Sequence, residues 1–167
     1  MGKKIVITGA STGIGAETAR ELAAGNEIIV HYYSSKKAAE AVAADIEKAG
    51  GKAHLLQADL SKPDECVRFM AETAKIFPVL DVLVNNAGGL ISRQPMEELD
   101  WDFMVQTFSL NTFSTMKITS LAIPLLKKAK DPVIINMTSI AMRHGAPSAT
   151  IYGAAKGALD SFTRGAA

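Results

Sequence analysis

Cysteine is nearly absent: Cys66 stands alone among the 167 residues. No internal disulfide can form, and a reducing compartment is the expected setting. The thiol is read as a small core or helix residue. Long apolar runs are lacking too. None approaches the ~18 residues of a membrane span, and the apolar stretch after Lys3 and Lys4 is too short for a secretory signal. Val6 occupies the place where a myristoylation signal beginning at Gly2 wants Ser or Thr. A cytoplasmic protein without membrane association is therefore expected. Neither sign of charge dominates, since eighteen basic and seventeen acidic residues leave a net charge of +1. That balance offers no broad basic field for a nucleic-acid backbone or an anionic membrane, and it favours a small, neutral partner. His31, His54 and His144 show no metal-ligand spacing with Cys66, so no metal site is expected.

What is present is a regular alternation. The length suits one domain, assigned here to residues 1–167, and 48% apolar residues suffice for a packed core. Short runs, often β-branched and apolar on both faces, cover Lys4 to Thr8, Glu27 to Tyr32, Ala53 to Ala58, Leu80 to Asn85 and Val133 to Thr138. They read as strands of a parallel sheet buried between two layers of helices. The stretches between them have helical spacing. One runs from Gly13 to Ala24 and stops at Gly25; another runs from Ser35 to Ala49 and stops at Gly50-Gly51. Ser61 with Asp64 resembles a capping box, with Pro63 in the first turn of a helix reaching about Phe77. A long helix is expected from near Asp100 to about Lys128, with Pro124 as a kink near its end. A last one starts around Ser148 to Thr150 and continues to Ala167. Strand and helix alternating in this way predict a doubly wound α/β fold, in which ligands bind at the carboxyl ends of the strands.

The segment Thr8-Gly9-Ala10-Ser11-Thr12-Gly13-Ile14-Gly15 joins the first strand to the first helix. Glycines there allow a tight turn and close approach of a pyrophosphate, while the helix N-terminus offers amide donors and partial positive charge. An ordinary glycine-rich turn, or the loop of a methyltransferase holding an adenosyl sulfonium, reads similarly. Tyr152 and Lys156 are four residues apart, so on a helix they share a face. A nearby ammonium favours the phenolate, which makes the two an acid/base pair for proton transfer. Taken alone, they are also an ordinary surface pair.

The spacing Thr-Gly-x-x-x-Gly-x-Gly resembles the cofactor loop of the short-chain dehydrogenase/reductase family. Four further matches follow in that family's order: Asp59-Leu60 after the third strand, Asn85-Asn86-Ala87-Gly88 after the fourth, Asn111 in the long helix, and Ser139 with Tyr152-x-x-x-Lys156. The resemblance spans the whole chain and implies a Rossmann-type sheet, of which about five strands are present. It also implies an NAD(P)-dependent oxidoreductase that interconverts a carbonyl and a secondary alcohol. On this resemblance Gly9, Ser11, Thr12, Gly13, Ile14 and Gly15 hold the pyrophosphate, and Asn86, Ala87 and Gly88 line the adenine and ribose side. Asp59, followed by Leu60, meets the adenine amino group or else caps the next helix. Tyr152 gives a proton to the carbonyl oxygen, and Lys156 holds the nicotinamide ribose. Ser139 stabilises charge on that oxygen, unless it is simply a cap or turn serine. Asn111 orders a water in a relay to Lys156, or else is a solvated helix residue.

Cofactor choice is read at the end of the second strand. An acidic residue there would favour NAD by binding the ribose 2′-hydroxyl. Tyr32 stands in that place, followed by Ser34, Ser35 and Lys36, which offer hydroxyls and a cation for a 2′-phosphate. NADP(H) is expected to be preferred, with NAD(H) as the other candidate. The overall look of the second-strand and fourth-strand segments resembles 3-oxoacyl-acyl-carrier-protein reductases. Sugar, polyol and steroid dehydrogenases, or a nucleotide-binding protein without turnover, share the same residues. His31, in a predicted strand, is expected to be structural, Trp101 and Phe103 to be packing residues, and Arg93, Arg143 and His144 exposed loop charges. The fifth strand is expected to expose an apolar face and an open edge, which invites association into a homo-oligomer. The doubly wound fold with six strands is incomplete here, so the 167 residues are expected to be part of a longer protein.

Overall fold

The computed structural model describes residues 2–167. Five parallel strands form one sheet in the order β3-β2-β1-β4-β5: β1 (Lys4–Ile7), β2 (Glu27–Tyr32), β3 (Lys52–Gln57), β4 (Val82–Asn85) and β5 (Val133–Asn136). Each expected strand is found, displaced by at most two residues at either end. Side chains alternate between two buried faces, which is why the runs read as uninterrupted apolar stretches. Val6, Ile29 and Leu83 meet Phe69, Ile118 and Ala122 on one face. Ile5, Ile7, Ile28, Val30 and Val84 meet Ala16, Ala19, Ala39, Val42 and Ile46 on the other.

The first face is covered by α3 (Pro63–Ile76) and α5 (Ser114–Leu126), the second by α1 (Gly13–Glu21) and α2 (Lys36–Lys48). Gly25 and Gly50 adopt positive φ where α1 and α2 have ended, as expected of helix-stop glycines. The capping box on α3 is not formed. Lys62, one residue later, takes the cap position without a side-chain bond, and Ser61 lies outside the helix, its Oγ donating to Asp59 Oδ1 (2.6 Å). Pro63 does occupy the first turn.

The long helix is α4 (Trp101–Phe108) followed by a π-helical turn (Ser109–Phe113) and then α5. Asp100 starts it by accepting from Phe103 N at 2.8 Å. Two short elements were not expected: a 3₁₀ turn at Met96–Glu98 and α6 (Ala141–His144), which carries Arg143 and His144. The last helix is α7 (Thr150–Ala166). Trp101 does not pack: it is 74% exposed. β5 pairs only with β4. Val133 and Ile135 pair with Val82 and Val84 on the α1/α2 face, yet stay 45% and 43% exposed.

Candidate active site

The carboxyl ends of β1 and β4 are fastened to each other before either loop begins. Thr8 Oγ1 accepts from Asn86 N (2.9 Å) and Ala87 N (3.0 Å), and Asn86 Nδ2 returns bonds to the carbonyls of Thr8 (2.9 Å) and Gly9 (3.0 Å). This brings the loop after β1 so close that side chains cannot fit. A Cβ on Gly9 would lie 2.9 Å from Ala87 Cα, and one on Gly15 would lie 2.4 Å from Gly9 O. The glycines thus let α1 start directly against the loop, with its N-terminal amides open.

Gly9, Ser11, Thr12, Gly13 and Ile14 line an open cavity of about 350 Å³ together with Asn86, Ala87 and Gly88. A second cavity of about 360 Å³ shares Gly9, Ala87 and Gly88 and continues past Asp59 and Leu60. The two form one slot across the ends of four strands. Its shape and donors fit a dinucleotide: backbone amides at one end, and an acceptor and apolar walls at the other. Asp59 accepts from Ser61 N (3.2 Å) and Ser61 Oγ and pairs with Lys62 at 3.4 Å. Burial opposes its ionisation, but these partners outweigh burial and hold the carboxyl below its ordinary range.

At the end of β2 the strand alternation corrects the sequence reading. Tyr32 packs against the core on the α1/α2 face, and it is Tyr33, 59% exposed, that lines the slot. Ser34 and Ser35 are exposed beyond it and do not line the slot, and Lys36 Nζ lies 3.8 Å from Glu40.

The residues expected to transfer protons lie at the other end. Asn111 is fully buried, not solvated, because the π turn carries it inward. Its Oδ1 accepts from Gly89 N (2.9 Å), and its Nδ2 donates to Gly89 O and Thr107 O (3.0 Å each). Lys156 is buried as well, and its Nζ donates to Met137 O at 2.8 Å. Loss of water around the ammonium lowers its pKa. Both side chains flank Gly88: a Cβ there would lie 2.6 Å from Asn111 Oδ1 and 3.2 Å from Lys156 Nζ. Tyr152 is half-buried one helical turn before Lys156 on α7. Ser139 Oγ accepts from Ala141 N (3.2 Å) as a turn serine; the cap position of α6 belongs to Ile140. That segment packs onto α7 beside Tyr152, since a Cβ on Gly153 would lie 3.0 Å from Ala141 O.

The profile of the short chain dehydrogenase family matches residues 3–167. The chain belongs to that family. Among curated proteins, this short-chain dehydrogenase is 39% identical over 164 residues to a 3-oxoacyl-[acyl-carrier-protein] reductase of Synechocystis sp., covering 95% of this chain and 64% of that protein. It is 33% identical to a 7alpha-hydroxysteroid dehydrogenase of Bacteroides fragilis, with 97% and 63% covered. The chain thus spans somewhat under two thirds of the length of these relatives. Among solved structures, NADH-dependent reductase A1-R′ complexed with NAD superposes with a TM-score of 0.93 at 34% identity, covering 98% of this chain and 71% of that one. The angucycline C-6 ketoreductase LanV with bound NADP gives a TM-score of 0.89 at 32% identity, covering 96% and 64%.

One lining residue escaped the sequence reading of this short-chain dehydrogenase: Tyr33 was passed over for its neighbour. His31 is structural as read, and what it supports is the glycine loop, to which it is bonded. The signal for His31 was there, as the one imidazole in an otherwise apolar buried run. Arg93 is an exposed loop charge as expected, and its Nη1 donates to Pro147 O at 2.6 Å, which ties the loop after β4 to the one before α7. Arg143 and His144 are exposed as expected. Among the described residues, no three His, Cys, Asp or Glu side chains gather as a metal site would need.

Proposed function

We propose that the chain carries the cofactor-binding and proton-transfer residues of an NAD(P)-dependent reductase that interconverts a carbonyl and a secondary alcohol. The observation that carries this reading is the convergence of a buried ammonium, Lys156, and a buried amide, Asn111, on Gly88, one helical turn from the phenol of Tyr152. A bound nicotinamide would supply or accept the hydride. Tyr152 holds the proton destined for the carbonyl oxygen. Lys156, poorly solvated, gains by an anionic neighbour and so favours the phenolate that remains. Ser139 Oγ already accepts from the Ala141 amide, which leaves its own O–H free to point at the substrate oxygen. Both N–H donors of Asn111 are spent on backbone, so a relay water would use the second lone pair of Oδ1.

The lack of a carboxylate from Tyr32 to Lys36, where an acidic side chain would repel a 2′-phosphate, supports NADP(H) over NAD(H). The substrate class we infer is a small or acyl-carrier-linked ketone, as the activity of the Synechocystis relative suggests. A homo-oligomer is supported by the exposed Trp101 and Val105 of α4 and Phe113 of the π turn, beside a cavity of about 680 Å³. Among the described residues no helix is long and apolar enough to cross a membrane.

The test mixes the chain with NADPH or NADH and a 3-oxoacyl thioester or a ketosteroid, and follows oxidation of the nicotinamide. Tyr152→Phe is expected to bind cofactor normally while turnover falls at least about a hundredfold. Near-normal turnover by that variant refutes the assignment of Tyr152.

A further inference from the structure

We propose that His31 is the positioning residue of the dinucleotide slot, a neutral imidazole that sets the spacing between its glycine-loop wall and its Asp59 wall. The inference rests on the reading that this slot takes a dinucleotide. In β2 the apolar residues would by themselves satisfy the core. Ile29, two positions earlier on the same face, packs there as an ordinary aliphatic. His31 fills the equivalent space edge-on to Phe69 of α3, with ring centroids 5.0 Å apart, and is 3% exposed.

What an aliphatic residue could not do is bridge two loops. Gly9 N donates to His31 Nδ1 at 2.9 Å, and Nε2 lies 3.1 Å from Ala58 O. Both partners are backbone groups of fixed polarity. An amide can only donate, so Nδ1 is the bare nitrogen; a carbonyl can only accept, so Nε2 carries the hydrogen. The ring is therefore locked in one neutral tautomer, and burial supports this by pushing its pKa down to about 4. The main chain adds a third tie, because Ala10 N donates to His31 O at 2.8 Å. Two consecutive amides of the glycine loop are thus spent on one residue. Gly9 and Asp59 face each other across the same cavity, and Ala58 immediately precedes Asp59. One rigid five-membered ring spans the floor between these walls and fixes how far apart they stand.

Removing the ring's nitrogens leaves the Gly9 amide and the Ala58 carbonyl without partners and frees the loop to shift. The cost falls on a pre-formed ligand site, where a small displacement of several donors is felt together.

The experiment titrates NADH and NADPH into the 167-residue chain by nicotinamide fluorescence, comparing wild type, His31→Phe, His31→Gln and Ile118→Val. Ile118 lies in the core of α5, away from the slot, and serves as a control for stability loss alone. His31→Phe is expected to bind about tenfold more weakly and His31→Gln, which restores a donor and an acceptor, within about threefold of wild type. Ile118→Val should bind as wild type does despite a lower unfolding midpoint. Equal affinity for His31→Phe and wild type overturns the inference while leaving the dinucleotide reading intact. Failure of the wild-type chain to bind either cofactor overturns the reading and the inference with it. Should His31→Phe not fold, the ¹⁵N spectrum of the wild-type imidazole decides: a protonated Nε2 and bare Nδ1 support the bridge, and the opposite tautomer removes it.

Discussion

Replacing Gly88 with alanine adds one methyl group at the most crowded point of the site. The backbone there has φ +146°, a region that residues with a Cβ rarely enter, and holding such a conformation costs about 1–3 kcal/mol. The new Cβ would also lie 2.6 Å from Asn111 Oδ1 and 3.2 Å from Lys156 Nζ. Neither neighbour can swing aside cheaply. Asn111 is held by three hydrogen bonds and Lys156 Nζ by Met137 O. Overpacking of this kind costs about 1–3 kcal/mol, so the two effects together come to about 4 kcal/mol. For a chain of this length that corresponds to a fall of roughly 8–16 °C in the unfolding midpoint. Gly89 is the control: an added Cβ there meets nothing within 4 Å, and its amide keeps the bond to Asn111. Gly89→Ala should stay within about 0.5 kcal/mol of wild type. The assay is thermal unfolding by circular dichroism, with NADH and NADPH titrations on both variants. If Gly88→Ala unfolds within a few degrees of Gly89→Ala and binds cofactor equally well, the packing described around Gly88 is wrong.

Lys156→Met keeps the aliphatic stem and removes a poorly solvated ammonium, so it should cost no stability, or gain about 1 kcal/mol, while weakening dinucleotide binding; a loss above about 2 kcal/mol in urea unfolding contradicts this. His31 titrates near 6.5 when unfolded and about 4 when folded. Its share of stability is therefore complete above 6.5 and is lost as pH falls through about 4, by about 3 kcal/mol in all; unfolding of wild type and His31→Phe at neutral pH and near pH 4 should show a steeper loss in wild type, the carboxylates contributing equally to both, and equal losses would contradict this. Ile135→Lys puts a charge on the exposed face of β5, and sedimentation should show less concentration-dependent association than for wild type; equal association would mean that this face takes no part in it.

The strands were legible because a sheet covered on both faces demands apolar residues in succession, as in Val82–Asn85. Gly25 and Gly50 were legible for a comparable reason, since little but glycine takes the conformation that follows a helix end. Local detail was not. Ser61 reads as a cap by residue type, but the folded backbone starts the helix one residue later, after Lys62, and leaves Ser61 bonded to Asp59. Four-residue α6 is too short for any periodicity, and a π turn has no residue signature of its own, so Asn111 read as a weak helix former with an open fate. Tyr32 and Tyr33 differ by one place in a strand, and one place reverses the face. The residues that line the slot were legible because the loops at strand ends carry them, whereas Asn111, Tyr152 and Lys156 lie on helical elements and were singled out by their resemblance to the family's spacing. His31 was legible as structural, but its bond to the glycine loop was not, because a buried histidine also suits a core.

The order of the strands also sets a timetable. β1 forms the centre of the sheet and is made first, but one of its two neighbours, β4, is made more than seventy residues later. During synthesis β1, β2 and β3 can pair among themselves, leaving one edge of β1 open and Thr8 without Asn86, its partner 78 positions on. Until β4 docks, the glycine loop has no wall to turn against. The nascent chain therefore carries an exposed central strand through much of its elongation, at the stage when wrong pairings compete most easily. Early chaperone contact, rather than early cofactor capture, is what this topology asks for.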